Sequence, residues 1–378
     1  MQRITGVVVG DCVMDWIGAV NMDNRIPALD FVRSCAVGLV IMRHSFDRLL
    51  REVNIPMFIQ YIMSLGWVGV HLFFTLSGFL IGGMIYKQIK KGNFSFKKFY
   101  LKRALRILPL AFGFLIIVYW AKLAFDKRTL LNFLFVTNYF GSEFADHYWS
   151  LNVEEHFYLI FPVLFFLLCK ITSKAKHIII ILIAVVVFTW IFRLYTVVFF
   201  PFRHSLADWV YTVSHWQIDY FLLGVLGSIF RIEGLMKKTK WFSFWIIPLF
   251  YFILSIITIS LYSQTPLGNQ SHIIIACLAP FYALFSFVFL LGASVQPIKI
   301  MSFKIFKWIS ILSYSMYVWH LFIVEKISDF KITIPVGEEA IYSIAICIMV
   351  FIITMLFAIP SYWIIEKPFL MIRKKILG

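Results

Sequence analysis

The sequence predicts an all-α, polytopic integral membrane protein of about ten transmembrane helices with no soluble domain. Three observations carry that prediction. Of 378 residues, 61% are hydrophobic and only 14% charged, whereas a soluble globular chain averages about 45–50% and about 25%. The mean hydropathy is +0.86, far on the bilayer side. The 42 Phe and 12 Trp suit lipid-facing surfaces and interfacial belts. The net charge of +16 does not indicate a nucleic-acid partner, because the Lys and Arg sit in short loops between apolar spans.

A membrane helix needs about 20 mainly apolar residues. In order, spans are expected near 28–46, 61–85, 105–122, 153–170, 177–199, 216–232, 242–262, 271–292, 307–325 and 339–364. Leu130–Tyr139 is too short to cross and reads as interfacial or re-entrant. Basic residues fall unevenly between alternate loops. One set, including Lys87–Arg106, Lys170–Lys176, Arg231–Lys240, Lys299–Lys307 and Lys367–Lys375, holds 24 of the 35 Lys and Arg. The other set, with Arg43, Arg48, Arg51, Lys122, Lys127, Arg128, Arg193, Arg203, Lys326 and Lys331, holds ten. The excess places both termini in the cytoplasm, as an even number of spans requires, in the plasma (inner) membrane.

Residues 1–24 read as an N-terminal extension, with Met22 a natural start, 25–370 as the membrane domain and 371–378 as a basic cytoplasmic tail. Cys12, Cys35, Cys169, Cys277 and Cys347 are widely spaced, form no CxxC, and read as small hydrophobes. No metal site and no permanently bound cofactor is expected.

Titratable residues within a span are costly and mark function by default. The first span holds Asp30, Arg33 and His44. Eleven residues at about 100° each are about three turns, so Arg33 and His44 share a face, roughly 16 Å apart along the axis. Asp30 lies at i−3 from Arg33 and can pair with it. His44 reads as a general base near the outer leaflet or as an interfacial helix cap. His71, Ser77 and Gly78 lie in the second span, where Ser77-Gly78 permits close approach of a ligand or of another helix. Lys102, Arg103 and Arg106 cluster at the cytoplasmic edge, suited to phosphates or to anchoring. Trp149, Ser150, Glu154, Glu155 and His156 open another span. Ser150 with Glu154 is compatible with a helix start, but that leaves the rest of the cluster unaccounted for. Asp219, Tyr317 and His320 are later polar insertions, and Glu366 is expected to anchor the last span at the interface.

These motifs together resemble the acyltransferase-3 family of membrane O-acyltransferases from about Arg25 to Phe369. The carriers are Arg33 with His44, Phe73–Ile81, Arg103–Pro109, Trp149–Leu159, Asp219–Gly224 and Ser313–His320. Each alone is weak; six in order are specific. The resemblance implies transfer of an acetyl or longer acyl group from cytoplasmic acyl-CoA to hydroxyls of cell-surface glycans such as O-antigen or exopolysaccharide, lipid-linked sugars or small molecules, with Arg33 and His44 the essential pair. Two positions depart from the family: His71 stands where an acidic residue is frequent, and His156 where Gln is. Many relatives add an extracytoplasmic esterase-like domain; none is expected in this sequence up to Gly378.

The expected mechanism docks coenzyme A by Arg103 and Arg106, with Ser77 and Gly78 beside its path, and threads the pantetheine arm past Arg33. His44 removes the hydroxyl proton or first accepts the acyl group. Glu154, Glu155 and His320 are candidates to orient the imidazole or the acceptor. The expected partners are acyl-CoA, a glycan or lipid-linked sugar and membrane lipids. The rival classes are a transporter or flippase for a glycan intermediate and a glycan polymerase or ligase; labelled acetyl-CoA separates them.

Overall fold

The computed structural model describes residues 26–122, 127–140, 145–199, 212–235, 270–295, 297–330, 334–335 and 337–377. The regular elements among them are helical: α1 (Pro27–Ser45), α2 (Met57–Ser64), α3 (Val68–Lys90), α4 (Phe96–Lys122), α5 (Lys127–Phe133), α6 (Thr137–Phe140), α7 (Tyr148–Ile171), α8 (Ala175–Phe199), α9 (Ser214–Ile232), α10 (Gln270–Val295), α11 (Lys304–Ser328), α12 (Glu339–Ser361) and α13 (Lys367–Leu377). The expected extension 1–24 and the expected span 242–262 lie outside the described residues.

Among the described residues, six helical stretches are long and apolar enough to cross a membrane: α3, α4, α7, α8, most of α10, and α12 continued through α13. That is fewer than the expected count. The helices α1, α9 and α11 fall short, and their place in the bundle supplies the reason. Helices α1 and α9 pack on α3, and α11 packs on α1, so much of their surface faces protein and polar residues are tolerated there.

Helix α3 is the central pillar, and its glycines set how closely its neighbours come. At and just before its N-terminal end, a Cβ on Gly69 or on Gly66 of the preceding turn would overlap the carbonyl oxygens of Ala36 and Leu39 on α1. At its middle, a Cβ on Gly78 would overlap the Phe221 carbonyl of α9, and one on Gly224 the Thr75 carbonyl of α3. Backbone therefore meets backbone on both sides.

Several boundaries differ from expectation. The span expected from 61 is divided into α2, a 3₁₀ turn at Leu65–Trp67 and α3. Helix α4 starts at Phe96 instead of 105, because Lys97–Leu108 consists largely of good helix formers. Leu130–Tyr139 falls on α5 and α6, hinged at Phe135, whose φ of 56° is a left-handed conformation costly for a side-chain-bearing residue. Residues 371–377 belong to α13, which packs along α4.

Two charged residues correct the sequence reading. Arg193, assigned above to a loop, is buried within α8 and pairs with the equally buried Asp219 of α9 at 3.0 Å. Trp190 Nε1 donates to the same carboxylate at 2.7 Å. Asp219 is thus the counter-charge of an intramembrane arginine. Glu366, expected at the interface, is buried in the π-turn Tyr362–Glu366 and accepts a hydrogen bond from Ser315 of α11.

Candidate active site

The first helix sets the axis of the site. Near its N-terminal end, Ser310 of α11 donates to Asp30 Oδ1 at 2.6 Å and accepts from Arg33 Nη1 at 3.4 Å. The Ser34 hydroxyl donates to the Phe306 carbonyl at 2.8 Å. These bonds fix α1 against α11 and aim Arg33 into a cavity of about 280 Å³.

That inner cavity is also lined by Ser77 of α3, Arg103 and Arg106 of α4, Ser150, Glu154 and Tyr158 of α7, and Tyr317 of α11. Glu154 accepts hydrogen bonds from the Ser77 and Tyr158 hydroxyls, and Arg103 sits over the Tyr158 ring at 5.6 Å. Three cations, Arg33, Arg103 and Arg106, and one carboxylate, Glu154, thus line the same cavity. No carboxylate forms an ion pair with Arg103 or Arg106 among the described residues. Gly78 does not line the cavity; it faces α9. Glu155, next to Glu154, is directed away from the lining, with a buried Oε1 that has no hydrogen-bond partner. On α13, Arg373 is half-buried within electrostatic reach of Arg106 and Arg103, whereas Lys374 and Lys375 are exposed.

At the other end of α1, His44 lines a second cavity of about 300 Å³ with Arg43, Asp47, Trp67, Trp149 and Tyr317. Arg43 pairs with Asp47 at 2.7 Å across one helical turn. Burial pushes the Asp47 carboxyl up, against the pull of Arg43. Val70 and Tyr317 belong to the walls of both cavities. The Tyr317 ring meets Phe73 edge-on at 5.9 Å. Its hydroxyl is bonded to Ser150 and donates to the His147 carbonyl at 3.0 Å. The guanidinium and the imidazole predicted to share a face therefore open into adjoining chambers with a common wall.

Behind His44 stand two further imidazoles. His320 lies 5.0 Å from it and His147 lies 5.1 Å from His320, ring centre to ring centre. Both are buried. His320 Nδ1 is 2.5 Å from the Tyr317 carbonyl, and His147 Nε2 is 3.0 Å from the Val318 carbonyl. The His44 chamber holds the charged side chains Arg43 and Asp47, whereas Glu154 lines the inner cavity and Glu155 lines neither. Among the described residues no set of His, Cys, Asp and Glu is arranged to hold a metal ion.

His71 lies apart from both chambers, stacked on Tyr220 at 4.0 Å and edge-on to Trp67 at 5.0 Å. It belongs to the aromatic packing between α3 and α9. Sequence reasoning missed His147 and Tyr158. The first stands two residues before Trp149, a position that reads as loop, and the second is hidden in an apolar run. Their chemistry becomes visible only when α7 is set against α3 and α11.

A family model described as an acyltransferase domain matches residues 26–361. The chain is similar to the O-acetyltransferase OatA of Staphylococcus aureus (strain NCTC 8325 / PS 47), at 26% identity over 93% of this chain and 57% of the relative. It is equally similar, at 26% identity over 91% of this chain and 57% of the relative, to a protein of S. aureus (strain COL) provisionally named an O-acetyltransferase. The chain thus spans a little over half the length of these curated relatives. No solved structure matches.

Proposed function

Because the chain belongs to the acyltransferase-domain family over residues 26–361, we propose that it is a membrane O-acyltransferase, moving an acetyl group from cytoplasmic acetyl-CoA to a hydroxyl of a cell-surface glycan or lipid-linked sugar. One observation carries the reading: a cation-lined chamber and an imidazole-lined chamber adjoin at Val70 and Tyr317.

Each chamber suits one substrate. Guanidinium groups hold phosphate through paired N–H donors, and Arg103 and Arg106 stand where the phosphates of coenzyme A would arrive from the cytoplasm. Arg33 lies deeper, along the path of the pantetheine arm. The thioester then reaches the Tyr317 wall, beyond which His44 meets the acceptor. His44 takes the hydroxyl proton, the oxygen attacks the thioester carbonyl, and a C–O bond forms as the C–S bond breaks. The imidazolium returns the proton to the departing thiolate, releasing coenzyme A as the free thiol.

In this reading α1, α9 and α11 also span the bilayer. With the six apolar stretches and the span that the sequence alone predicts at 242–262, they would make ten, both termini facing the cytoplasm of a plasma-membrane protein.

The test is purified protein in bilayers with radiolabelled acetyl-CoA and a surface glycan. Label should move to the glycan with stoichiometric release of free thiol. His44→Ala should lower the rate by about 10²–10⁴-fold, the range for a lost general base. A His44→Ala protein at wild-type rate would overturn the mechanism. Glycan moved across the bilayer with acetyl-CoA intact would point to a carrier instead.

A further inference from the structure

Resting on the acyl-transfer reading above, we propose that His147 is a positioning residue that holds His320 as a neutral hydrogen-bond acceptor behind His44, so that His44 presents its basic nitrogen to the acceptor hydroxyl.

The geometry starts from two consecutive carbonyls of α11. The Tyr317 carbonyl lies 2.5 Å from His320 Nδ1, and the Val318 carbonyl 3.0 Å from His147 Nε2. A carbonyl oxygen can only accept, so each of those ring nitrogens carries its proton. In the neutral rings the lone pairs are then on His320 Nε2 and His147 Nδ1. Both atoms are buried and have no hydrogen-bond partner. A buried acceptor without a donor costs free energy, and two of them stand in the cluster that contains the proposed base. The donor that chemistry brings to His320 Nε2 is the His44 imidazolium, formed once the hydroxyl proton has been taken by a ring that stands 5.0 Å away, centre to centre.

His147 grips the turn of α11 that carries His320 in three ways. Its ring donates to the Val318 carbonyl, its own carbonyl accepts from the Tyr317 hydroxyl, and its ring meets His320 at an interplanar angle of 77°. Orientation of a catalytic histidine is usually assigned to a carboxylate. Here the neighbours acting on His44 are His320 of α11, His147 at the start of α7, Arg43 of α1 and Arg48 of the following π-turn, with Asp47 occupied by Arg43. A pair of neutral imidazoles stands in the carboxylate's place. The proton path closes without any further group, since the proton leaving the hydroxyl returns to the thiolate.

The experiment compares wild type, His147→Gln and His147→Phe in bilayers, reading kcat, the KM for acetyl-CoA and the pH dependence of kcat. Gln carries an N–H at the reach of Nε2 and can keep the Val318 bond; Phe keeps ring size only. His147→Phe should lose roughly 10- to 100-fold in kcat at unchanged KM for acetyl-CoA. Its acid limb should move to lower pH, because the His44 imidazolium has lost support. His147→Gln should stay within about threefold of wild type, with the limb in place. Equal kcat in Phe and wild type, or equal impairment in Gln and Phe, would overturn the proposal. If the Phe protein does not fold, His147→Asn replaces it: its shorter side chain cannot reach Val318, so it should show the same loss while Gln does not. A wild type that transfers no acetyl group refutes the acyl-transfer reading itself, an outcome distinct from any pattern among the variants.

Discussion

At the scale of single residues, the inner chamber is governed by how its charges are met. Glu154 is engaged by two hydroxyl donors, Ser77 and Tyr158. Arg103 rests on an aromatic face, and among the described residues Arg106 has no carboxylate in ion-pairing distance. Guanidinium groups not neutralised by protein carboxylates are available to a phosphate. Each charge-assisted hydrogen bond contributes about 1.5–3 kcal/mol. Arg106→Ala should therefore raise the KM for acetyl-CoA by roughly 10- to 100-fold, and the KM for the acceptor should stay constant, since the outer chamber is built from other side chains. Steady-state kinetics varying one substrate at a time would check this; a rise confined to the acceptor would contradict the assignment of the two chambers.

Between elements, the bundle is joined by close backbone contact and by the buried Arg193–Asp219 ion pair. The glycines of α3 and α9 let the two helices touch, which places Ser77 on the face turned away from α9 and towards α7. The Arg193–Asp219 pair does comparable work between α8 and α9. Its side chains are 2% and 0% exposed, so removing one partner leaves a charge with neither water nor counter-ion. Asp219→Ala should cost about 3–5 kcal/mol of stability, whereas replacing both residues by Leu should recover most of it. Thermal unfolding of the purified proteins in detergent reads both, and an Asp219→Ala protein as stable as wild type would show that the pair has another partner. Activity should follow stability, because Asp219 does not line either chamber.

For the whole molecule, the asymmetry of Lys and Arg sets which end of the bundle meets the cytoplasm. On the proposed function, the arginine-lined chamber should open on that side and the His44 chamber on the other, as a soluble donor and an external acceptor would require. In a cysteine-free background, Lys91→Cys and Lys374→Cys should react with a membrane-impermeant thiol reagent only after the cells are permeabilised, and Arg51→Cys should react in intact cells. Labelling of all three from the same side would invert or break the topology.

Much was legible in the chain itself. Composition determined a helical membrane protein, since only helices or closed barrels satisfy backbone polar groups in hydrocarbon and the apolar runs have helical length. The 3.6-residue period determined that Arg33 and His44 share a face. What tertiary structure alone decided is which side chains meet across elements. It put Ser77 against Glu154 while turning its neighbour Gly78 into helix packing, made Asp219 the partner of an arginine, and brought His147 from an apparent loop to the edge of His320. Spacing along one helix prescribes direction, because the backbone repeat is local. Contact between helices depends on the close packing of many distant side chains at once, and no short stretch of sequence encodes it.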